Sequence, residues 1–362
     1  MRAFLLPLIS GHDFHVWDLS ALATIGGQNI FETPPLSISK TGPYAYFPLY
    51  LYILLPFRFL ALHTSLPYTV LGKIPVVLGD IAVSVQLAAI IRDTTSSERK
   101  AAVGAACFFL NPLVLYNGAF YGRFDSLCLA AVLAAWQSFW RYGTGSLRGA
   151  IWIGIAVALK TFPLFLVPYA MARAGGRRGL ILGLLACAIP LLTALPYLVT
   201  SARQFFAILF IYNASKAPSQ FSWQVVFLRL GMSERLATEL SFAFFALFAG
   251  LLFFLIRRVP DPYAYGALVL VLFLLFNKVV LEQYFLWPLP FLIVLVVRDR
   301  NRAAAFLAIV LSIVGISANQ WLHPFGYLPS PPLWMNVALA LVMTWFVVLC
   351  LRPSKVMHIA HF

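Results

Sequence analysis

Apolar stretches of about 20 residues follow one another from near residue 45 to residue 351, separated by short polar breaks. A bilayer hydrocarbon core needs roughly 20 apolar residues per crossing helix. Backbone groups in lipid must satisfy their own hydrogen bonds, so these stretches are read as helices. A β-barrel would show short alternating segments instead. The pattern predicts an all-α, polytopic membrane bundle of about 9–11 membrane segments. Helices are expected at 70–92, 101–117, 124–142, 178–199, 235–256, 261–278, 282–298, 302–320 and 333–351. Pro163 and Pro168 break the stretch between Arg148 and Arg173 into a helix at 147–160 and a short return at 162–172. Residues 45–62 are expected to be half-embedded and broken at Pro48 and Pro56, with an ordinary span as the alternative. The chain 1–362 reads as one membrane domain: an outer segment over 1–69, the bundle over 70–351 and an inner tail over 352–362.

Composition agrees with that pattern. The chain is 62% hydrophobic and 10% charged, against about 25% charged in soluble domains. Its net charge of +14 could point to nucleic acid, but the placement of the charge excludes that partner. Arg92, Arg99 and Lys100, then Arg141 and Arg148, Arg173, Arg177 and Arg178, Arg257 and Arg258, Arg298, Arg300 and Arg302, and Arg352 with Lys355 lie in the breaks between apolar runs. Such clusters mark the inner side of a membrane protein. The four cysteines, Cys107, Cys128, Cys187 and Cys350, sit in apolar stretches without metal-ligand spacing and read as small core residues.

This threading puts Lys73, Arg123, Asp125, Lys160, Asn277, Lys278, Glu282 and Gln283 at the outer helix ends, with Asp80 deeper. Ionisable groups in apolar spans are costly and point to function. Snorkelling explains one long lysine; a shared outer-facing site explains the whole set. Four constellations carry the chemistry. In G-H-D-F-H-V-W-D (11–18), Asp13 and Asp18 read as a general base, metal ligands or plain loop carboxylates, and His12 and His15 are a weak metal signal. In Y-G-R-F-D-S (121–126), Arg123 suits a phosphate, whereas Asp125 with Ser126 can also serve as a helix cap. In A-L-K-T-F-P (158–163), Lys160 stands at a helix break, facing either a phosphate or a freed carbonyl. In N-K-V-V-L-E-Q-Y-F-L-W-P (277–288), Lys278, Gln283 and Tyr284 share a short turn, while Tyr284 and Trp287 also suit interfacial anchoring.

The order of these motifs resembles the polytopic GT-C glycosyltransferases that use a polyprenyl- or dolichyl-phosphate sugar. It is most similar to the catalytic subunit of the first mannosyltransferase of glycosylphosphatidylinositol synthesis and its prokaryotic relatives. D-F-H-V-W-D-L-S-A with G-G-Q-N-I-F (13–31), Y-A-Y-F-P-L (44–49), G-K then D (72–80), N-P then G-R-F-D-S (111–126), L-K-T-F-P and N-K-V then Q-Y-F-L-W (277–287) carry the likeness. It implies an inverting sugar transfer, with Asp13 as general base and Lys278 and Gln283 near the donor phosphate. Lys160 and Arg123 are further carry-overs, and Tyr284, Asp125 and Lys73 complete the candidate donor set. Asp18 and Asp80 are secondary candidates. The implied partners are a polyprenyl-phosphate sugar, membrane lipid and a lipid-linked, glycolipid or protein acceptor. A partner subunit is left open. The membrane would be the cell membrane in a prokaryote, with the site outside, or the endoplasmic reticulum in a eukaryote.

Two departures from the family pattern stand out. Gly11 occupies the place of the first acid of a D-x-D pair, so no cofactor is assigned and metal dependence stays open. The family also has a helix before the first loop, whereas the residues before Asp13 are too few to span; a missing first helix is therefore expected. A secondary transporter and a non-catalytic membrane subunit are the competing readings.

Overall fold

The computed structural model describes residues 2–8, 10–32, 43–317 and 331–352. Its longer helices are α1 (His12–Ile25), α2 (Leu49–His63), α3 (Ile74–Thr95), α4 (Glu98–Phe109), α5 (Asp125–Tyr142), α6 (Leu147–Leu159), α7 (Gly176–Phe206), α8 (Glu234–Arg258), α9 (Pro262–Phe276), α10 (Leu289–Asp299), α11 (Arg302–Ser317) and α12 (Leu333–Leu351). The starts follow local chemistry. Ser97, Ser146, Ser233 and Asp261 each accept a backbone N–H of the first turn of α4, α6, α8 and α9. Pro262 then occupies a position that needs no N–H donor.

The protein is an all-α bundle. Among the described residues, four helices are long and apolar enough to cross a bilayer, or five if the bent pair Glu98–Phe109 and Pro112–Phe120 is one span. Five further apolar helices have 10–17 residues. The expected segments are therefore present as helices, but fewer have full spanning length than the apolar runs suggested. Polar breaks shorten them: α6 stops at Lys160 and α9 at Asn277.

Helix α3 packs against α4 and α5, and α6 against α5 and α7. Close approach depends on glycine. A Cβ on Gly79 of α3 would lie 2.7 Å from the backbone nitrogen of Leu127, and one on Gly154 of α6 would lie 2.9 Å from the Leu185 carbonyl oxygen. Small residues at such contacts let membrane helices meet backbone to backbone.

Several expectations are corrected. Residues 12–18, expected as a loop, lie in α1, whose polar residues are spread among buried Phe14, Val16 and Trp17. Pro56 does not break residues 45–62; it sits inside α2, and only Pro48 marks an end. The expected helix 101–117 breaks after Phe109 and bends by 48° at Asn111 and Pro112. The expected loop over 200–233 is largely structured: α7 kinks at Ser201, whose backbone is not helical, and continues to Phe206, a π-helix covers Ala207–Tyr212 and a helix covers Trp223–Arg229. Ser219–Gln220 pairs in parallel with Val279–Val280. The tail beyond Arg352, including Lys355, lies outside the described residues.

The basic clusters gather at one end of the bundle. Arg141 binds Asp93, Thr144 binds the Arg173 carbonyl, Arg173 binds the Val259 carbonyl and Arg298 pairs with Asp261. Helix α5, with 18 residues, leads from Arg141 to Asp125 at the other end, about 24 Å away along its axis.

Gly79→Val forces a branched side chain against the Leu127 backbone. It is expected to cost about 1–3 kcal/mol, read as a lowered thermal unfolding midpoint in detergent, with Gly79→Ala milder.

Candidate active site

The end opposite the basic clusters holds a chain of buried ions, built on irregular backbone. Asn111 caps the short Pro112–Leu115 helix, which runs into a π-helix at Tyr116–Phe120. The wide π turn is a frequent mark of functional sites. The chain then reverses at Gly122, whose φ is +77° and whose Cβ would meet the Phe14 ring at 2.6 Å. Arg123 is clipped back onto the π turn twice: its backbone N–H donates to the Asn117 carbonyl (2.8 Å) and its Nη1 to Asn117 Oδ1 (3.0 Å).

From there the Arg123 guanidinium reaches two carboxylates. Nη1 lies 2.7 Å from Glu282 Oε1, and Nε lies 3.7 Å from Asp13 Oδ2. Asp13 comes to this place because the start of α1 is sewn to the π turn. The Gly11 N–H donates to the Tyr121 carbonyl (3.1 Å), and a Cβ on Gly11 would lie 2.4 Å from the Tyr121 ring. A side chain at Gly11, such as the first acid of a D-x-D pair, would collide there. Asp13 in the first turn of α1 also meets the favourable end of the helix dipole. Its side chain is 31% exposed, against 7% for Glu282. Asp13 is thus the carboxylate that solvent or an acceptor can reach.

A second pair lies beside the first. Asp125 opens α5, and Lys160 follows the last residue of α6. Asp125 Oδ1 accepts from Lys160 Nζ (2.6 Å) and from Trp287 Nε1 (2.6 Å). The Lys160 ammonium lies 4.9 Å from the Phe124 ring centre, 5.7 Å from Tyr46 and 5.8 Å from Trp287. Trp287 stacks between Phe162 (4.2 Å) and Tyr284 (4.1 Å). Tyr284 is within electrostatic reach of Asp125, Asp13, Arg123 and Glu282. The two ion pairs therefore belong to one site. Three carboxylates face two cations in it, leaving an excess negative charge.

Two lysines stand at the rim. Lys278 Nζ donates to the Ala214 carbonyl, which places it beside the segment carrying Lys216. Burial pushes the Lys216 ammonium pKa down, and the charge of Asp13 partly restores it. Burial also lowers the Lys278 pKa.

Of the residues singled out in the sequence, Asp13, Arg123, Asp125, Lys160 and Tyr284 converge. The cap expected of Asp125 and Ser126 is absent: Phe124 precedes α5 without a side-chain cap, and Ser126 donates to Asp80 Oδ1 (2.5 Å). The partner of Lys160 is a carboxylate rather than a freed carbonyl. Asp80 also pairs with Arg2 (3.2 Å), and Asp18 pairs with Arg58 (2.7 Å). Lys73 is fully buried and donates to the Leu6 and Phe120 carbonyls. Gln283 is buried on the 3-10 turn Glu282–Leu286. His12 and His15 are exposed, and among the described residues no three His, Cys, Asp or Glu side chains converge on a metal position.

Asn117, Lys216 and Trp287 were not among the sequence-derived site residues, and Glu282, placed with the outer-facing set, was given no role in it. Glu282 had a signal, being an acid at an apolar break. Trp287 read as an interfacial anchor, yet it is 5% exposed with its N–H on Asp125.

The chain matches the sequence pattern of glycosyltransferase family 87 over residues 44–281, about two-thirds of its length. It belongs to that family. It is therefore a membrane glycosyltransferase, and the buried ion network is its candidate active site. No curated protein matches the chain. The region matched to glycosyltransferase family 87 holds Arg123, Asp125, Lys160, Lys216 and Lys278, whereas Asp13 and Glu282–Trp287 fall outside it.

Asp125→Asn and Lys160→Met each leave a buried partner uncompensated, an effect of about 3–5 kcal/mol. Unfolding measurements on the two single variants and the double variant should show the double loss falling short of the sum. Strict additivity would show that the pair is not coupled.

Proposed function

We propose that this glycosyltransferase moves a sugar from a polyprenyl-phosphate donor to an acceptor hydroxyl with inversion at the anomeric carbon. The observation that carries this reading is the exposure of Asp13 on an otherwise buried ion network. Arg123 pairs with Asp13 at 3.7 Å and holds it at the open side of the network, where a general base must stand. In the step, an acceptor oxygen attacks the anomeric carbon while Asp13 takes its proton. The bond from that carbon to the phosphate oxygen breaks, and the phosphate leaves with the electron pair. Attack opposite the leaving group inverts the centre.

The leaving phosphate needs cations. Arg123 and Lys160 already have carboxylate partners. Lys278 and Lys216 at the rim are assigned to the phosphate, where a partly desolvated cation stabilises developing charge strongly. The donor's prenyl chain would lie along the apolar helices in lipid. Mannose is assigned by the resemblance to glycosylphosphatidylinositol mannosyltransferases, and a lipid-linked compound, a glycolipid or a protein as acceptor. The site end is assigned to the outer face of the membrane, opposite the basic end.

The test uses purified protein in lipid with labelled polyprenyl-phosphate mannose, glucose and galactose and a panel of acceptors. Asp13→Asn should lower transfer by about 10²–10⁴-fold, the usual weight of a general base, with the fold retained. Solute uptake into proteoliposomes without transfer from any donor would overturn the reading. Burial lowers the pKa of both rim lysines, so their charge is lost on the alkaline side sooner than for a free lysine. The double variant Lys216→Arg, Lys278→Arg keeps its charge, and the alkaline limb of its pH–rate profile should move upward.

A further inference from the structure

Three buried oxygen atoms at the site have no hydrogen-bond partner: Glu282 Oε2, Asp125 Oδ2 and Gln283 Oε1. Their residues are 5%, 0% and 2% exposed. The other carboxylate oxygens are engaged, Glu282 Oε1 by Arg123 and Asp125 Oδ1 by Lys160 and Trp287. Buried polar atoms are rarely left without partners, and each such case asks for an explanation. Tyr284 lies within electrostatic reach of both Asp125 and Glu282, and Gln283 adjoins Glu282 on one 3-10 turn.

All three atoms are acceptors, and an ionised carboxylate can only accept. Whatever completes them must bring donors. A phosphate brings acceptors and negative charge, so it is repelled; a polyol brings several O–H donors on a compact frame. The walls suit the same ligand. Tyr284, stacked on Trp287, and Tyr46, within reach of Asp125 and Tyr284, supply aromatic rings that suit the C–H groups of a sugar ring. The two cations of the network hold the carboxylates in place.

From this we infer that Glu282, Asp125 and Gln283 form the subsite that reads the hydroxyl groups of the transferred sugar. The inference rests on the proposed sugar transfer and assigns Arg123 and Lys160 to positioning these carboxylates rather than to the phosphate. Specificity follows from chemistry: a donor lacking the matching hydroxyl leaves a buried carboxylate oxygen unpaired, which such sites reject strongly.

The test compares wild type, Glu282→Gln and Gln283→Leu in lipid, with the polyprenyl-phosphate sugar that wild type uses and its set of mono-deoxy analogues. For wild type, loss of one hydroxyl should lower kcat/KM at least 30-fold. In one of the variants the same deletion should cost less than threefold, since its partner is already gone. Inhibition by polyprenyl phosphate without sugar should be unchanged within twofold in both variants. Gln283→Leu introduces no charge change and serves if Glu282→Gln fails to fold. Penalties that multiply independently for every hydroxyl in both variants would overturn the subsite, as would a parallel loss of polyprenyl phosphate inhibition. Absence of transfer by wild type itself would instead overturn the proposed function, so the two failures are distinct.

Discussion

The structure depends on one constraint: an ionisable group inside an apolar bundle persists only with a partner, a group of opposite charge at the site or, for Lys73, backbone carbonyls. Taking a charge out of water costs several kcal/mol even after relaxation. Arg123 meets that constraint at the centre of the site. It compensates Glu282 and Asp13 together, and so ties α1, the π turn and the 3-10 turn after α9 to one point. Lys160 and Asp125 do the same for the ends of α6 and α5. The helices are short at this end because each must stop where its ion is needed. Lys160 takes extended backbone angles after α6, and Asn277 after α9. The irregular backbone is covered by protein, the condition under which it is tolerated at membrane depth.

The bundle is polar along its axis as well as amphipathic across it. One end carries arginines tied to carboxylates and carbonyls in the turns. The other carries the buried network. A single helix, α5, joins Asp125 at one end to Arg141 at the other. On the proposed reading, charge at the first end orients the chain in the membrane and charge at the second serves the chemistry. The separation keeps the lysines and arginines of topology from competing with those of the site.

Within the site the charges divide by exposure. The inner carboxylates are held by inner cations, so neither Arg123 nor Lys160 has an unanswered charge to offer an anion. The rim lysines are partly desolvated, and Lys216 lies within electrostatic reach of the accessible Asp13. On the proposed reading, sugar is read by acceptors inside and phosphate by donors at the rim, with the base between them. The glycines maintain this order sterically: Gly11 and Gly122 admit the Tyr121 and Phe14 rings against the turns that carry Asp13 and Arg123.

Much of this was legible in the sequence. Apolar run length alone determines helices, because no other backbone satisfies itself in lipid. It located α5, α6, α8, α9 and α12 within a few residues. Stray charges in apolar surroundings pointed to Asp13, Arg123, Asp125 and Lys160, since each costs too much to be incidental. What only the tertiary structure decided was the pairing. Asp125 read as a site residue or a helix cap, and its partners, Lys160, 35 residues away, and Trp287, 162 residues away, were set by packing. The polar residues 11–18 read as a loop until helix α1 packed its apolar side against the bundle. Glu282 and Lys216 gained their significance from neighbours far along the chain. Composition and period act locally, so a sequence declares where a charge is costly; which partner compensates it depends on distances that exist only after the helices have packed.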